Sequence, residues 1–278
     1  MKFSLVMATL GRYEEIILFL NSLEKQTYKN FELFIIDQNN NDKIETLCQS
    51  YSMDIRVIKS SLKGLSVNRN IGLECISGDI IAFPDDDCEY EPATLEKVTY
   101  FLSNNPLYDF YTCNTKEKDS NLSIISASLD SVNISVKNIM FTAISITIFL
   151  RASALQSFRF DERLGAGSDF GSGEESDLLF FLLKNKKKGF YHAQDYIFHP
   201  YRQETPEKAF QYGKGYGAIH KKSFIAYGFL RPVISFLYLM FKEAVKILIY
   251  PYSKIRISSF QGRSYGFLHY KYKKLSNI

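Results

Sequence analysis

A chain of 278 residues with 46% hydrophobic and 23% charged side chains holds one large domain or a domain with an appendage, and this composition excludes intrinsic disorder. Four cysteines (Cys48, Cys75, Cys88, Cys113) with no CxxC pair exclude a zinc-ribbon or disulfide scaffold and read as reduced thiols of a cytoplasmic protein. The formal net charge of +4 conceals an asymmetry: from Lys221 onward eleven Lys and Arg face one acid, Glu243, leaving −6 on the preceding 220 residues, so the tail points to nucleic acid or anionic lipid as partner.

Met1 to Leu10 is too short an apolar run for a secretory leader, lacks a small-residue cleavage site and leads into Arg12, Glu14 and Glu15. It reads as a first buried strand over Lys2 to Ala8, followed by the loop Thr9-Leu10-Gly11-Arg12. From Tyr13 the positions Ile16, Phe19, Leu20 and Leu23 recur at helical spacing. A second buried strand, Phe31 to Ile36, ends on Asp37 and a polar turn, and a short helix reaches about Tyr51. Ile55 to Ile58 is a third strand. Strand–helix–strand–helix–strand predicts parallel pairing with right-handed crossovers. The opening is Rossmann-like but has no GxGxxG, which argues against a dinucleotide cofactor.

After Lys63-Gly64-Leu65, Ser66 is placed to cap a helix with Val67, Ile71 and Cys75 on one face and Arg69 and Asn70 in its early turns. The apolar run Ile80-Ile81-Ala82-Phe83-Pro84 then stops at three carboxylates, Asp85-Asp86-Asp87. Adjacent like charges beside a core are costly unless a hard cation sits among them. Mg²⁺ and Mn²⁺ prefer such oxygen ligands together with phosphates. In an open α/β sheet, ligands bind past the carboxyl ends of the strands. The cluster therefore reads as a divalent-metal site holding a diphosphate, against the plainer alternative of a solvated acidic turn. Asp37 and Asp85 are expected at the same sheet edge.

A helix with Leu95, Val98 and Leu102 and a strand from Asp109 to Cys113 follow. Lys116 to Val136 is polar and weakly periodic, a loop or excursion over the site. Ala143 to Leu150 reads as a strand. A Gly-rich turn from Phe158 to Ser168 precedes Gly171-Ser172-Gly173-Glu174-Glu175-Ser176-Asp177, which opens a helix. Acids in a first turn are favoured by the macrodipole, the structural reading of Glu174 and Glu175. Tyr191 to Phe198 is a last strand, ending at His199. A histidine after a strand, as the aspartates are, is a candidate ligand.

Taken in order, these segments resemble the family 2 glycosyltransferases of the GT-A fold, over Lys2 to about residue 202. Ser4-Leu5-Val6-Met7-Ala8-Thr9-Leu10-Gly11-Arg12 resembles the family's first strand and nucleotide loop, Phe34-Ile35-Ile36-Asp37 its second strand, and Arg69-Asn70-Ile71-Gly72 its RNxG segment. Phe83-Pro84-Asp85-Asp86-Asp87 resembles the DxD element. Phe160-Asp161-Glu162-Arg163-Leu164-Gly165 and Gly173-Glu174-Glu175-Ser176-Asp177-Leu178 resemble the acceptor loop and the ED region. The chain departs from the family in having Glu-Glu where Glu-Asp is usual, which leaves either glutamate as the base.

The resemblance implies an α/β GT-A domain: a Rossmann-like, mostly parallel sheet flanked by helices over 1–203, with a nucleotide-sugar half to about residue 90, an acceptor half after it, and a helical extension over 204–278. It implies an inverting transferase moving a sugar from a nucleotide-diphosphate sugar, a UDP-sugar first, to a saccharide acceptor carried on a lipid such as a polyprenyl diphosphate, in bacterial cell-surface polysaccharide synthesis. Thr9, Arg12, Asp37, Arg69, Asp85 and Asp86 would hold the donor. Asp85, Asp87 and His199 would hold Mn²⁺ or Mg²⁺, and Glu175, with Glu174 second, would be the base. A sugar-phosphate nucleotidyltransferase usually opens on a Gly- and Arg-rich phosphate loop, which Met7 to Arg12 does not provide. A nucleic-acid module would leave the aspartates unexplained, so no nucleic acid is expected. A catalytically inactive nucleotide-sugar-binding subunit is the third alternative.

In the tail, Val233 to Tyr250 is nearly apolar enough to span a membrane, but Lys242, Glu243 and Lys246 interrupt it. It reads either as a helix packed on the domain or as one lying on the cytoplasmic membrane face. In the second case Lys254, Arg256, Arg263, Lys271, Lys273 and Lys274 meet anionic headgroups.

Overall fold

The computed structural model describes residues 1–120, 123, 128–201 and 203–272, so Lys273 and Lys274 lie outside the described residues. The first half alternates β1 (Phe3–Thr9), α1 (Tyr13–Glu24), β2 (Phe31–Asp37), α2 (Lys43–Cys48), β3 (Ile55–Lys59), α3 (Leu65–Leu73) and β4 (Ile80–Ala82). Next come α4 (Thr94–Asn104), β5 (Phe110–Lys116), β6 (Val132–Asn133), β7 (Phe149–Arg151), the single turn α5 (Ala152–Leu155), α6 (Glu174–Lys184) and β8 (Gly189–Phe198). Three helices follow, α7 (Pro206–Ile225), α8 (Leu230–Ile249) and α9 (Lys254–His269).

The strands form one mixed sheet in the order β3-β2-β1-β4-β7-β5-β8-β6. β3, β2, β1 and β4 are parallel, so Asp37 and the aspartates after β4 emerge at one edge, as expected. β7 runs antiparallel between β4 and β5, and β5 pairs parallel with β8. Short of their last residues, strands β1 and β2 are apolar on both faces, because helices cover both, except at Ser4 and Glu32, which hydrogen-bond each other at 2.6 Å. Phe3, Leu5, Met7, Leu33 and Ile35 pack towards α1 and α4, while Val6, Phe34 and Ile36 pack with Phe160, Leu164 and α6.

Two local expectations change. Ser66 does not cap α3. Gly64, at φ +120°, starts the helix two residues earlier, and Ser66 Oγ instead donates to the Leu164 carbonyl at 2.6 Å, tying α3 to the Gly-rich turn. Ala143 to Leu150 is not one strand: Ser145–Thr147 is a 3₁₀ turn and the ladder begins only at Phe149. Thr147 Oγ1 accepts from Ile144 N and donates to Ile144 O, a local bonding pattern that competes with strand pairing. Part of the Lys116 to Val136 excursion lies outside the described residues, and its described end supplies β6.

The extension is packed into the domain rather than hung from it. A Cβ on Gly217 would stand 2.0 Å from the Arg263 carbonyl, and one on Gly266 1.9 Å from the Lys214 carbonyl. Only glycine at these points lets α7 and α9 cross backbone to backbone. The contact delivers Tyr270, just past α9, fully buried into the core beside Phe170. All four cysteines are free thiols.

Candidate active site

The carboxyl edge of the sheet is where short β4 releases its chain. Ile80, Ile81 and Ala82 are fully buried, and Phe83-Pro84 carries the chain out into the three aspartates. His199 reaches them because Glu89 and Phe198 pair through two backbone hydrogen bonds of 2.9 and 3.0 Å, stitching the end of β8 to the aspartate loop. One ligand atom each from Asp85, Asp87 and His199 lies within 4.8 Å of the others. His199 Nε2 is 3.4 Å from Asp87 Oδ1. Burial lowers the imidazole pKa, but the hydrogen bond and charge of Asp87, with Asp85 behind it, outweigh burial and leave it raised. Two carboxylates and an imidazole converging on one point fit a divalent cation of the Mn²⁺ or Mg²⁺ type, with positions left for phosphate oxygens and water.

Asp86 points the other way. Its carboxylate accepts from Thr9 Oγ1 and Arg12 Nη1, both at 2.8 Å. Arg12 Nη1 is also 2.8 Å from Asp87 Oδ2. Burial pushes the Asp86 pKa up to about 6, against the opposing pull of Arg12 and Thr9. Thr9, Arg12 and Asp86 thus lock the loop after β1 to the loop after β4. Asp37, opposite Thr9 in the β1–β2 register, is buried and accepts from the Asn39 backbone and side-chain amides and from Lys59 Nζ.

Arg69 joins the two halves of the site. α3 buries it completely, with its guanidinium 5.6 Å from the Phe83 ring centre and 5.8 Å from that of Phe160. Nη2 donates to Asp85 Oδ1 at 3.0 Å and to Ser145 Oγ at 3.1 Å, while Nη1 donates to Glu174 Oε1 at 3.3 Å. Ser145 was not singled out from sequence, because it sits in the stretch read as a strand. Gly173, left-handed at φ +93°, is the N-cap residue that turns the chain into α6 and sets both glutamates in its first turn. Glu174 is buried and held by Arg69, whereas Glu175 is partly exposed, accepts from Ser176 Oγ at 3.4 Å and shares a hydrogen bond with Glu174. Burial raises both carboxyls. For Glu174 the neighbouring Glu175 charge adds to burial and exceeds the opposing pull of Arg69.

Behind α6 lies a network that the sequence did not reveal. Lys222 of α7 is buried between Asp177 Oδ2 at 2.7 Å and Asp161 Oδ2 at 3.1 Å. Tyr227 donates to Asp177 Oδ1 at 2.7 Å, and Tyr270 to Asp161 Oδ2 at 2.7 Å. Arg163 Nη2 donates to Asp161 Oδ2, also at 2.7 Å. Burial pushes Asp161 up, yet Arg163, Lys222 and Tyr270 outweigh it and hold the carboxyl well below its ordinary range. The Asp161 turn and the first turn of α6 are thereby fastened to the extension. The spaced glycines Gly213, Gly217, Gly262 and Gly266 were the one available signal that α9 returns to the domain.

Residues 4–165 match the model of glycosyl transferase family 2. The chain belongs to that family. Among its curated relatives, the GalNAc(5)-diNAcBac-PP-undecaprenol beta-1,3-glucosyltransferase of Campylobacter jejuni is 27% identical over 215 residues, covering 73% of this chain and 66% of that protein. This glycosyltransferase spans 36% and 15% of two further relatives that it matches. Staphylococcus aureus TarS 1–349, solved with UDP-GlcNAc, superposes with a TM-score of 0.63 at 18% identity, covering 81% of this chain and 67% of that one. The Pyrobaculum calidifontis mannosyltransferase PcManGT, solved with GDP-Man and Mn²⁺, gives 0.63 at 12% identity over 96% and 87% of the two chains. These likenesses establish the GT-A fold.

Proposed function

We propose that this glycosyltransferase moves a sugar from a UDP-sugar to a saccharide carried on a lipid diphosphate, inverting the anomeric carbon, in the assembly of a bacterial cell-surface polysaccharide. The observation that carries the reading is the Arg69 bridge. One buried guanidinium joins Asp85 of the diphosphate side to Glu174 of the acid pair, at 3.0 and 3.3 Å. The bridge thus fixes the aspartate loop against the first turn of α6, where Glu174 and its neighbour Glu175 stand.

Residues 1–203 carry the reaction and 204–278 support it. Thr9, Arg12, Asp37, Arg69, Asp85 and Asp86 line the donor side. Asp85, Asp87 and His199 would hold Mn²⁺ or Mg²⁺, which when bound neutralises charge on the leaving diphosphate. Glu175 is the general base, because Glu174 is buried and held directly by Arg69 while Glu175 is partly exposed and able to face an acceptor. Burial raises its pKa above the ordinary carboxylate value, the direction that suits a general base. The acceptor hydroxyl gives its proton to Glu175 as its oxygen bonds to the anomeric carbon. The bond from that carbon to the phosphate oxygen breaks with its electron pair, and the nucleoside diphosphate leaves. The undecaprenol-linked substrate named for the C. jejuni relative and the UDP-GlcNAc bound by TarS support the choice of acceptor and donor classes.

The test is a donor panel of UDP-, GDP- and dTDP-sugars with Mn²⁺ or Mg²⁺, with and without saccharides on short polyprenyl diphosphates, reading nucleoside diphosphate release. Acceptor-stimulated release from a UDP-sugar is expected. Transfer of a nucleotidyl group to a sugar phosphate, or binding with no release, would replace this reading with a nucleotidyltransferase or an inactive subunit.

A further inference from the structure

Helix α8 carries a face that the rest of the described chain leaves uncovered. Of its 20 residues only Pro232 and Phe236 are buried. At 3.6 residues per turn, about 100° each, Leu230, Ile234, Leu237, Phe241, Val245 and Leu248 fall within an arc of about 80° on the side away from Phe236. All six are exposed, among them Ile234 at 58%, Phe241 at 68% and Leu248 at 82%. Arg231, Lys242 and Lys246 form the stripe along one border of that arc, and all are exposed. Glu243, the only acid in the helix, lies on the buried side, 2.8 Å from Lys246 and 3.5 Å from Arg256. Exposed apolar area of this extent marks an interaction surface.

The bordering charge decides the occupant. An antiparallel second copy docked on this face by two-fold symmetry would bring the two stripes of Arg231, Lys242 and Lys246 to the same side, with only Glu243 behind Lys246 to offset them, which is repulsive. An anionic bilayer instead receives the apolar arc into its acyl boundary, while the lysine and arginine stems reach up to the headgroups. No helix among the described residues is long and apolar enough to cross a membrane. We propose that α8 lies in the plane of an anionic bilayer surface, with Phe241 at the centre of the inserted face. The proposal stands on α8 alone and does not depend on the reaction assigned above.

The sequence has no tryptophan, so Phe241→Trp installs a single reporter at a position where a large ring is already exposed. The full chain is mixed with vesicles of phosphatidylglycerol and phosphatidylcholine, or of phosphatidylcholine alone. Expected are a blue shift of the Trp emission with the anionic vesicles, quenching by brominated acyl chains, and co-sedimentation that persists in part at high salt. Phe241→Glu with Leu248→Glu should lower vesicle partitioning at least about tenfold. Each basic residue removed from the pair Arg231 and Lys242 should lower it about fivefold. Emission unchanged by anionic vesicles, with the protein left in the supernatant at low salt, would overturn the proposal whatever the double variant does. So would a vesicle-independent dimer that the Phe241 and Leu248 substitutions dissolve.

Discussion

Replacing Lys222 by methionine tests how the extension holds α6, the helix that opens with Glu174 and Glu175. The Lys222 side chain is 7% exposed, and its ammonium lies 2.7 Å from Asp177 and 3.1 Å from Asp161. Methionine keeps the stem and removes the charge. The two carboxylates do not suffer equally. Asp161 keeps Arg163 and Tyr270, whereas among the described residues Asp177 is left with the Tyr227 hydroxyl and is fully buried. Breaking one side of a buried pair costs about 3–5 kcal/mol. For a chain of this size that lowers Tm by on the order of 10 °C. Burial already raises the Asp177 carboxyl, with Lys222 and Tyr227 offsetting part of that rise. Without Lys222 it rises further, so the variant's deficit should be largest at high pH and shrink as acid protonates Asp177. Adding Asp177→Asn, which removes the stranded charge and can still bond Tyr227, should restore more than half of the loss. Asp177 is two residues from Glu175, so kcat should fall more than KM changes. The assays are thermal and urea unfolding across pH, with steady-state kinetics on the same samples. A loss below about 1 kcal/mol, the scale of an exposed pair, or a double variant no better than the single, would refute the reasoning.

Asp87→Asn should cut metal-dependent turnover by at least about 100-fold with unfolding unchanged, and His199→Ala should cost less, about tenfold, with a raised metal requirement. Full activity of Asp87→Asn in the presence of chelator would remove the metal site. Glu175→Gln should lose about 10²–10⁴ in kcat and still bind nucleotide. Because the base works deprotonated and burial raises it, wild-type kcat/KM should rise with pH through a value above the ordinary glutamate range, and Glu175→Gln should lose that limb. If Glu174→Gln loses the limb and Glu175→Gln keeps it, the roles exchange. Gly266→Leu would force a side chain into the Lys214 carbonyl, separating α9 from α7 and withdrawing Tyr270. A destabilisation above about 1–3 kcal/mol, the usual overpacking cost, is expected by urea unfolding because backbone cannot move aside.

The sheet edge was legible because its signals are local. Apolar runs ending on Asp37 and Asp85 mark parallel strands, and parallel strands put their carboxyl ends together. His199 was legible for the same reason, since it also follows a strand. The role of Arg69 was only half legible. An arginine in a helix's early turns suggests a phosphate contact, but its reach to Glu174 across 105 residues of sequence depends on how α3 and α6 pack. Asp86 read as a donor contact, and what the sequence did not show is that its carboxylate is tied to Thr9 and Arg12 of the same donor-side loop. Lys222 was hidden among the basic residues of the tail. Sequence gives a charge and not its burial, and only the crossing of α7 with α9 encloses it. Ser145 gave no signal at all, because a β-branched stretch hides a 3₁₀ turn.

The most direct test of the central claim is the stereochemistry of the product. An α-linked UDP-sugar is turned over on an acceptor, and the anomeric proton coupling of the new linkage is read by NMR. A single displacement driven by Glu175 predicts a β-linked product and no covalent adduct. An α-linked product, or a glycosyl-enzyme trapped on Glu174 or Glu175, would contradict it.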